Sequence, residues 1–178
     1  MKEHGYKVDQ VIWEKRDLTM RFTAITVLAA ALLTSSAFAA GNTLSDRANA
    51  DFLAANAKKP QVISVPGIQY EVIKRGNGIQ PGRHDCVTVN YKGSLIDGKV
   101  FDETKPGKPA TFPAGMLIPG WVEALQMMHT GDKWKLVIPS GLAYGKGGAG
   151  DGLIPANQTL VFEIELLKVS APTAGSCG

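Results

Sequence analysis

Four segments of this 178-residue chain alternate apolar and polar residues with a period of two. They cover residues 68–72, 87–92, 133–138 and 160–167. In the last of them, LVFEIELL, Glu163 and Glu165 fall between apolar residues. Because successive side chains of a strand point to opposite faces, this pattern predicts half-buried strands with one face on a core. Turn signals at Asn77-Gly78 and Asp97-Gly98 favour breaks between strands.

One helical stretch interrupts the strands. In WVEALQMM, residues 121–128, one helical face carries Trp121, Ala124, Leu125 and Met128. Gly120 and Gly131 bound it, which predicts a short helix of about two turns. Several strands around one short helix predict the α+β fold class with a mostly antiparallel sheet.

A second helical pattern, at residues 42–59, precedes the strands. Its apolar residues recur at helical spacing at Leu44, Ala48, Phe52 and Ala55. Pro60 and Pro66 end it, because proline cannot continue a helix. The stripe is short and alanine-rich, so we expect it to dock weakly or to pair with something outside the chain. The sequence thus divides into a lead-in helix and linker at 40–66, a main domain at 67–169 and a flexible tail at 170–178.

Residues 20–39, MRFTAITVLAAALLTSSAFA, have the parts of a signal peptide. Arg21 supplies the positive charge, and residues 22–33 form an uncharged apolar run. Small residues in Ala37-Phe38-Ala39 predict cleavage before Ala40. The alternative is a transmembrane helix, but about 12 apolar residues fall short of the ~20 that span a bilayer. We therefore expect a periplasmic mature chain with no membrane association.

Residues 1–19 carry mixed charge, which is unusual ahead of such an apolar run. We hypothesise that translation starts at Met20 and that residues 1–19 are a misassigned leader. N-terminal sequencing of an unprocessed precursor that begins at Met1 would contradict this hypothesis.

The chain has two cysteines, Cys86 and Cys177. Export would place them in an oxidising compartment, where cysteines can pair. The first begins a strand pattern and the second lies in a polar tail, and sequence does not give the distance between them. Paired and free cysteines both stay open. The formal net charge of +3 is too small to predict nucleic-acid binding.

The sequence patterns of common catalytic and metal sites are missing. HExxH, CxxC and G-x-S-x-G do not occur, and we predict neither a metal nor a cofactor. His84 and His129 have no metal-ligand spacing and are expected at the surface. Gly145, Gly147 and Gly150 spell G-x-G-x-x-G, but no helix start follows them. We interpret this pattern as a flexible loop and not as a phosphate site.

Aromatic and aliphatic residues from separate elements remain. They are Tyr91, Phe101, Trp121, Tyr144 and Phe162, with Leu117 and Ile118 before the helix and Leu153 and Ile154 after the glycine run. Periodicity alone favours a core position for each of them. Asp102 is the exception, because a carboxylate beside Phe101 in apolar surroundings needs a partner.

Five motifs occur in order along the chain. They are YKG at 91–93, DGKVFD at 97–102, IPGW at 118–121, LAYG at 142–145 and TLVFEIELL at 159–167. Together they resemble the FKBP-type peptidyl-prolyl cis-trans isomerase family over about residues 67–169. The lead-in FLAANAKK at 52–59 resembles the end of the long helix in exported bacterial members of the macrophage-infectivity-potentiator type. That helix is cut short here, so we expect a monomer more than a dimer.

The resemblance implies an antiparallel sheet wrapped around the short helix, with a pocket between them. Its implied catalytic residues are Trp121 as floor, Tyr91, Phe101 and Phe162 as walls, Asp102 as the polar member and Tyr144 as a hydroxyl donor to a substrate carbonyl. Its implied substrate-binding residues are Leu117, Ile118, Leu153 and Ile154, with the Ile118 N–H facing a carbonyl. Proline-containing polypeptides are the implied substrates, and macrolides the implied inhibitors.

The chain departs from the family pattern at the rim of this pocket. Ala110 stands where relatives often have an aromatic residue. The segment between Phe112 and Leu117 is shorter than in eukaryotic members, and the loop at 145–152 is longer and has no histidine. We expect these changes to affect the specificity of the rim and to leave the pocket floor intact.

Such a pocket needs no acid, base or metal. The barrier to X–Pro rotation, ~18–20 kcal/mol, arises from amide conjugation, and the twisted transition state is less dipolar than the planar amide. An apolar cleft removes the water that favours the planar form, and so lowers the barrier.

Two other functions stay open at this level. Ala110 at the rim is compatible with a periplasmic chaperone or peptide-binding module that has weak or no turnover. A hydrolase that uses Asp102 and Glu103 is disfavoured, because neighbouring residues of a strand point to opposite faces.

Overall fold

The computed structural model describes residues 44–173 and Cys177. The predicted signal peptide at 20–39, its cleavage site before Ala40 and the predicted leader at 1–19 lie outside the described residues. The described residues fall within one compact unit.

The described chain forms one sheet, two α-helices and three short 3-10 turns. The helices are α1, Asp46–Asn56, and α2, Pro119–Leu125. The strands are β1, Ile63–Ser64; β2, Gln69–Lys74; β3, Cys86–Leu95; β4, Val100–Glu103; β5, Ala110–Pro113; β6, Lys133–Ile138; and β7, Leu160–Ser170. The 3-10 turns span Ala114–Met116, Ser140–Leu142 and Gly145–Gly147.

The sheet is antiparallel throughout and confirms the predicted α+β class. Its order is β1-β2-β6-β7-β3-β4, and β5 pairs with the first half of β3. The long strand β3 therefore has β7 along one side and β5 followed by β4 along the other.

Alternation places one face of the sheet in the core, as predicted. On β7 the side chains of Leu160, Phe162, Ile164 and Leu166 are all buried. On the neighbouring β6, Trp134, Leu136 and Ile138 are buried in register with them. The apolar face of α2 covers this surface with Trp121, Ala124 and Leu125 buried. Met128, the fourth residue of the predicted stripe, is also buried but lies beyond the end of the helix.

Gly120 sets the distance between α2 and the sheet. A Cβ atom at this position would lie 2.5 Å from Cγ2 of Ile138 on β6. Only glycine leaves room for such an approach, so α2 packs directly on the strand that faces it.

The loop that follows Tyr144 contains local hydrogen-bonded structure, and its predicted flexibility stays a prediction. Gly145–Gly147 form a 3-10 turn. Ala149 and Ile154 then form an antiparallel bridge, with N–O distances of 2.9 and 3.1 Å. No phosphate-binding helix start follows, in agreement with the sequence interpretation.

Helix α1 docks on the domain through buried polar side chains, and the predicted apolar stripe contributes in part. Three of the four stripe residues are half-buried: Leu44, Ala48 and Phe52. Asn49 and Asn56 are the buried residues of α1, whereas Ala55 is exposed. Asn49 Oδ1 accepts the Thr159 N–H at 2.7 Å, and Asn56 Nδ2 donates to Gln69 Oε1 at 2.9 Å. Apolar periodicity missed this contact because amides, seven residues apart on one helix face, make it.

The two cysteines form a disulfide. Cys86 and Cys177 have their Cα atoms 5.4 Å apart and are separated by 91 positions in sequence. Cys86 is buried at the start of β3, where it pairs with Ser170 of β7. Ser170, the first residue of the tail predicted to be flexible over 170–178, is the last residue of β7. The disulfide ties Cys177 to the sheet.

We expect Cys177→Ala to lower the free energy of unfolding by about 3 kcal/mol, because a cross-link over so long a loop restricts the unfolded chain. Urea unfolding of oxidised protein and variant measures the difference. Wild-type protein under reducing conditions is the matched control and should unfold like the variant. Equal midpoints for the oxidised protein and the variant would show that the bond does not restrict the unfolded chain.

Candidate functional site

A cleft of about 170 Å³ opens between the start of α2 and the sheet. It is lined by Tyr91, Phe101, Asp102, Phe112, Leu117, Ile118, Trp121, Tyr144 and Phe162. Larger cavities lie elsewhere, including one of about 430 Å³ beside Tyr70 and Trp134. The cleft differs from these cavities in the residues that line it, because six of its nine lining residues are aromatic.

Edge-to-face ring contacts build the floor of the cleft around Trp121. Its ring centroid lies 5.3 Å from that of Phe162 and 5.4 Å from that of Tyr91, with interplanar angles of 89° and 86°. Phe112 makes a third such contact at 6.4 Å. This arrangement aligns the positive edge of one ring with the negative face of another. Trp121 and Phe162 are each only 4% exposed, so the floor is rigid and apolar.

The local sequence explains why Trp121 stands at this point. Ile118 is the N-cap of α2 and Pro119 opens the helix. Proline suits that position because its fixed φ matches the helix and the N–H it lacks would have no helical partner. The helix starts sharply, and Ile118 O accepts the Trp121 N–H at 2.9 Å. The N–H of Ile118 itself lies outside the helical hydrogen-bond pattern, at the edge of the cleft.

Gly93 on β3 makes room for the wall of the cleft. A Cβ atom there would lie 2.7 Å from the rings of both Phe101 and Phe162. These two rings meet edge to face, with centroids 5.6 Å apart. Any side chain at this position would push the wall into the cleft.

The polar member of the cleft is paired. The Tyr91 O–H donates to Asp102 Oδ2 at 2.5 Å, which supplies the partner that the sequence demanded of this carboxylate. Burial raises the pKa of Tyr91 well above its ordinary value, and the hydrogen bond and charge of Asp102 raise it further. The Tyr91 phenol is therefore neutral, and its hydrogen bond holds the Asp102 carboxylate at the cleft wall.

The structure gives no support to a carboxylate pair for hydrolysis. Glu103 does not line the aromatic cleft and instead borders a separate surface cavity with Lys92, Lys133 and Glu163. Asp102 and Glu103 thus face different cavities, as alternation on β4 requires.

The structure brings together eight of the ten residues predicted for the site. Leu153 and Ile154 do not line the cleft. The bridge between Ala149 and Ile154 turns Ile154 into the core, where it is 5% exposed, and leaves Leu153 51% exposed. Their implied role in substrate binding stays a prediction.

Phe112 lines the cleft and was missed by sequence reasoning. It lies on β5, whose four residues are too few for alternation to stand out. Its pairing with Val87 on β3 directs it toward Trp121. Ala110 lies on the same face of β5 but does not line the cleft.

An antiparallel sheet folded over a short helix, with an aromatic cleft between them, defines a class of α+β domain whose site is an apolar cleft. Comparison with known proteins identifies the class further. The family model for FKBP-type peptidyl-prolyl cis-trans isomerases matches residues 77–167, which is more than half of the chain. The chain belongs to the FKBP-type peptidyl-prolyl cis-trans isomerase family.

Individual relatives are bacterial. The outer membrane protein MIP of Legionella longbeachae is 52% identical over 120 residues, which cover 66% of this chain and 51% of that protein. The FKBP-type 22 kDa isomerase of Escherichia coli K12 is also 52% identical over 120 residues, with 58% of its length covered. The chain thus spans about half the length of these relatives. Similarity to them confirms the resemblance to the exported bacterial branch.

Solved structures agree with the fold. A peptidyl-prolyl cis-trans isomerase from Pseudomonas syringae superposes with a TM-score of 0.65 at 45% identity, over 70% of this chain and 92% of that one. FkpA from Escherichia coli gives 0.63 at 44% identity, over 71% of this chain and 62% of that one.

We expect the stability advantage of wild-type protein over Tyr91→Phe to shrink as the pH rises above 10.0, the ordinary pKa of tyrosine. Folded Tyr91 stays neutral there, whereas the tyrosine of the unfolded wild-type chain ionises, and the variant has no such group. Urea unfolding from about pH 8 to about pH 11 measures the margin. A margin that stays constant over this range would contradict the raised pKa.

Proposed function

We propose that this protein is a peptidyl-prolyl cis-trans isomerase that accelerates rotation of X–Pro bonds without covalent chemistry. One observation carries the proposal: a water-accessible cleft whose floor and walls are almost wholly aromatic, with Trp121 at its base. A prolyl ring is a compact apolar group, and such a cleft encloses it with little polar competition. Membership of the isomerase family supports the same activity.

The proposed mechanism is desolvation with two hydrogen-bond anchors. The aromatic floor excludes water from the bound X–Pro amide, which removes the solvation that favours its planar form. The Ile118 N–H and the Tyr144 hydroxyl flank the cleft and would hold substrate carbonyls on either side of it. Tyr91 and Asp102 form the polar edge of the cleft, and the raised pKa of Tyr91 keeps its phenol neutral. Each ~1.4 kcal/mol gained by the twisted amide is tenfold in rate.

We propose proline-containing stretches of exported polypeptides as substrates, with macrolides as competing ligands and a monomer as the working form. The signal-like sequence at 20–39 supports a periplasmic location. The Cys86–Cys177 disulfide also favours an oxidising compartment. Within the described residues, no helix has the length and apolar character needed to cross a membrane.

A chaperone or peptide-binding module is the second candidate, and one observation favours it. Exposed apolar side chains lie next to cleft residues in sequence, with Met116 83% exposed beside Leu117. Exposed apolar surface of this kind is typical of sites that hold unfolded segments. Suppression of aggregation that survives the loss of Trp121 would favour this function over catalysis.

We expect Trp121→Leu to lower kcat/KM for isomerisation of a proline-containing peptide by about tenfold or more, because it removes the floor that excludes water. Trp134→Leu is the matched control. Trp134 is a tryptophan buried to a similar degree, at 5% exposure, and it stacks on Tyr70 outside the cleft.

The control should lose stability and keep its catalytic rate at temperatures where it is folded. Wild-type protein without isomerase activity would defeat the proposal. A folded Trp121→Leu variant with wild-type kcat/KM, or equal losses in the two variants, would defeat the assignment of the site.

A further inference from the structure

The side chain of Asn49 on α1 hydrogen-bonds to Gln158 and Thr159, the two residues before β7. The Asn49 residue is 4% exposed. Its Oδ1 accepts the Thr159 N–H at 2.7 Å, and its Nδ2 donates to Gln158 Oε1 at 3.1 Å and to Ser45 O at 3.0 Å. Gln158 Nε2 returns a bond to Leu44 O at 2.9 Å. A buried amide satisfied in this way holds its partners in one arrangement.

Residues 158 and 159, which Asn49 contacts, directly follow Asn157, and Asn157 is hydrogen-bonded to the residue after Tyr144. The N–H of Asn157 donates to the carbonyl of Gly145, the residue after Tyr144, at 2.8 Å. Asn157 has φ +60°, in the left-handed region that non-glycine residues seldom adopt. Such a backbone is kept only where its surroundings determine it. Asn157 Nδ2 adds a second link to α1, to Asp46 Oδ2 at 3.4 Å.

Tyr144 depends on this backbone support more than the other aromatic residues of the cleft. It is 42% exposed, against 4% for Trp121 and Phe162. Within the described part of the chain, its ring takes no part in the ring contacts that fix Tyr91, Phe112 and Trp121. A shift of the backbone at 144–145 would therefore carry the Tyr144 hydroxyl with it without opposition from ring packing, and an ångström of displacement is enough to misplace a hydrogen-bond donor.

We propose that Asn49 is a positioning residue for Tyr144, so that helix α1 sets the place of the Tyr144 hydroxyl at the cleft rim. This inference rests on the proposed isomerase function and on the role proposed for Tyr144. The lead-in helix is then a working part of the enzyme, because displacement of α1 loosens residues 157–159 and, with them, the rim.

A double-mutant cycle tests the proposal. We expect Asn49→Ala to lower kcat/KM by about three- to tenfold, as for one lost or misplaced hydrogen bond. Tyr144→Phe, which lacks the hydroxyl, should lower it by a similar factor. The double variant should be no slower than Tyr144→Phe alone, because the group that Asn49 positions is already gone.

Asn56→Ala is the matched control. Asn56 lies on the same helix and is 4% exposed, as Asn49 is, but it contacts Gln69 on β2 and not the segment that leads to Tyr144. Its replacement should weaken the attachment of α1 and leave kcat/KM unchanged. If Asn49→Ala does not fold, Gln158→Ala removes the side-chain bonds of Gln158 to Asn49 and to Leu44 O and enters the same cycle.

The outcomes separate the two proposals. Wild-type protein without isomerase activity overturns the proposed function. In an active wild-type background, unchanged kcat/KM in folded Asn49→Ala overturns the positioning role. So does a loss that recurs in full on the Tyr144→Phe background, or a loss that Asn56→Ala reproduces.

Discussion

The packing of Trp121 between α2 and the sheet is the constraint on which the cleft depends. A helix of seven residues is too short to be stable alone, so α2 exists only because its apolar face is buried. Gly120 lets that face approach Ile138 closely, and the same approach brings the indole against Tyr91 and Phe162. The rings that complete the core are therefore also the floor of the cleft. Stability and site share one set of contacts.

The rim is built differently from the floor. Its polar groups are held by single hydrogen bonds or by loop backbone, as the Asp102 carboxylate is by the Tyr91 hydroxyl and as Tyr144 is beside Gly145. Few apolar contacts and greater exposure make such groups easier to move. Under the proposed function, the buried floor would exclude water from an X–Pro segment and the more exposed rim would select the segments that are held.

Sequence reasoning succeeded where apolar side chains follow a strict period. The alternation in β6 and β7 and the apolar face of α2 predicted the core correctly. The family resemblance indicated eight of the nine residues that line the cleft, seven within the ordered motifs and Leu117 just before one of them. It failed where the signal is short or polar. Phe112 lies on a strand of four residues, and α1 is attached by Asn49 and Asn56, which apolar periodicity passes over. Whether Cys86 meets Cys177 depends on a path of 91 residues.

The amino-acid order alone determined which faces must be buried, because a period of two and a helical stripe follow from local backbone geometry. The amino-acid order also determined which side chains are available for function: a set of aromatic residues, without the usual catalytic or metal-binding motifs. Only the tertiary structure decided which of the buried rings line the aromatic cleft, since Trp121 and Trp134 look alike in sequence and just one of them borders it. It also decided that the lead-in helix contacts the segment before β7, because contacts between residues such as Asn49 and Thr159, 110 positions apart, exist only once the chain has folded.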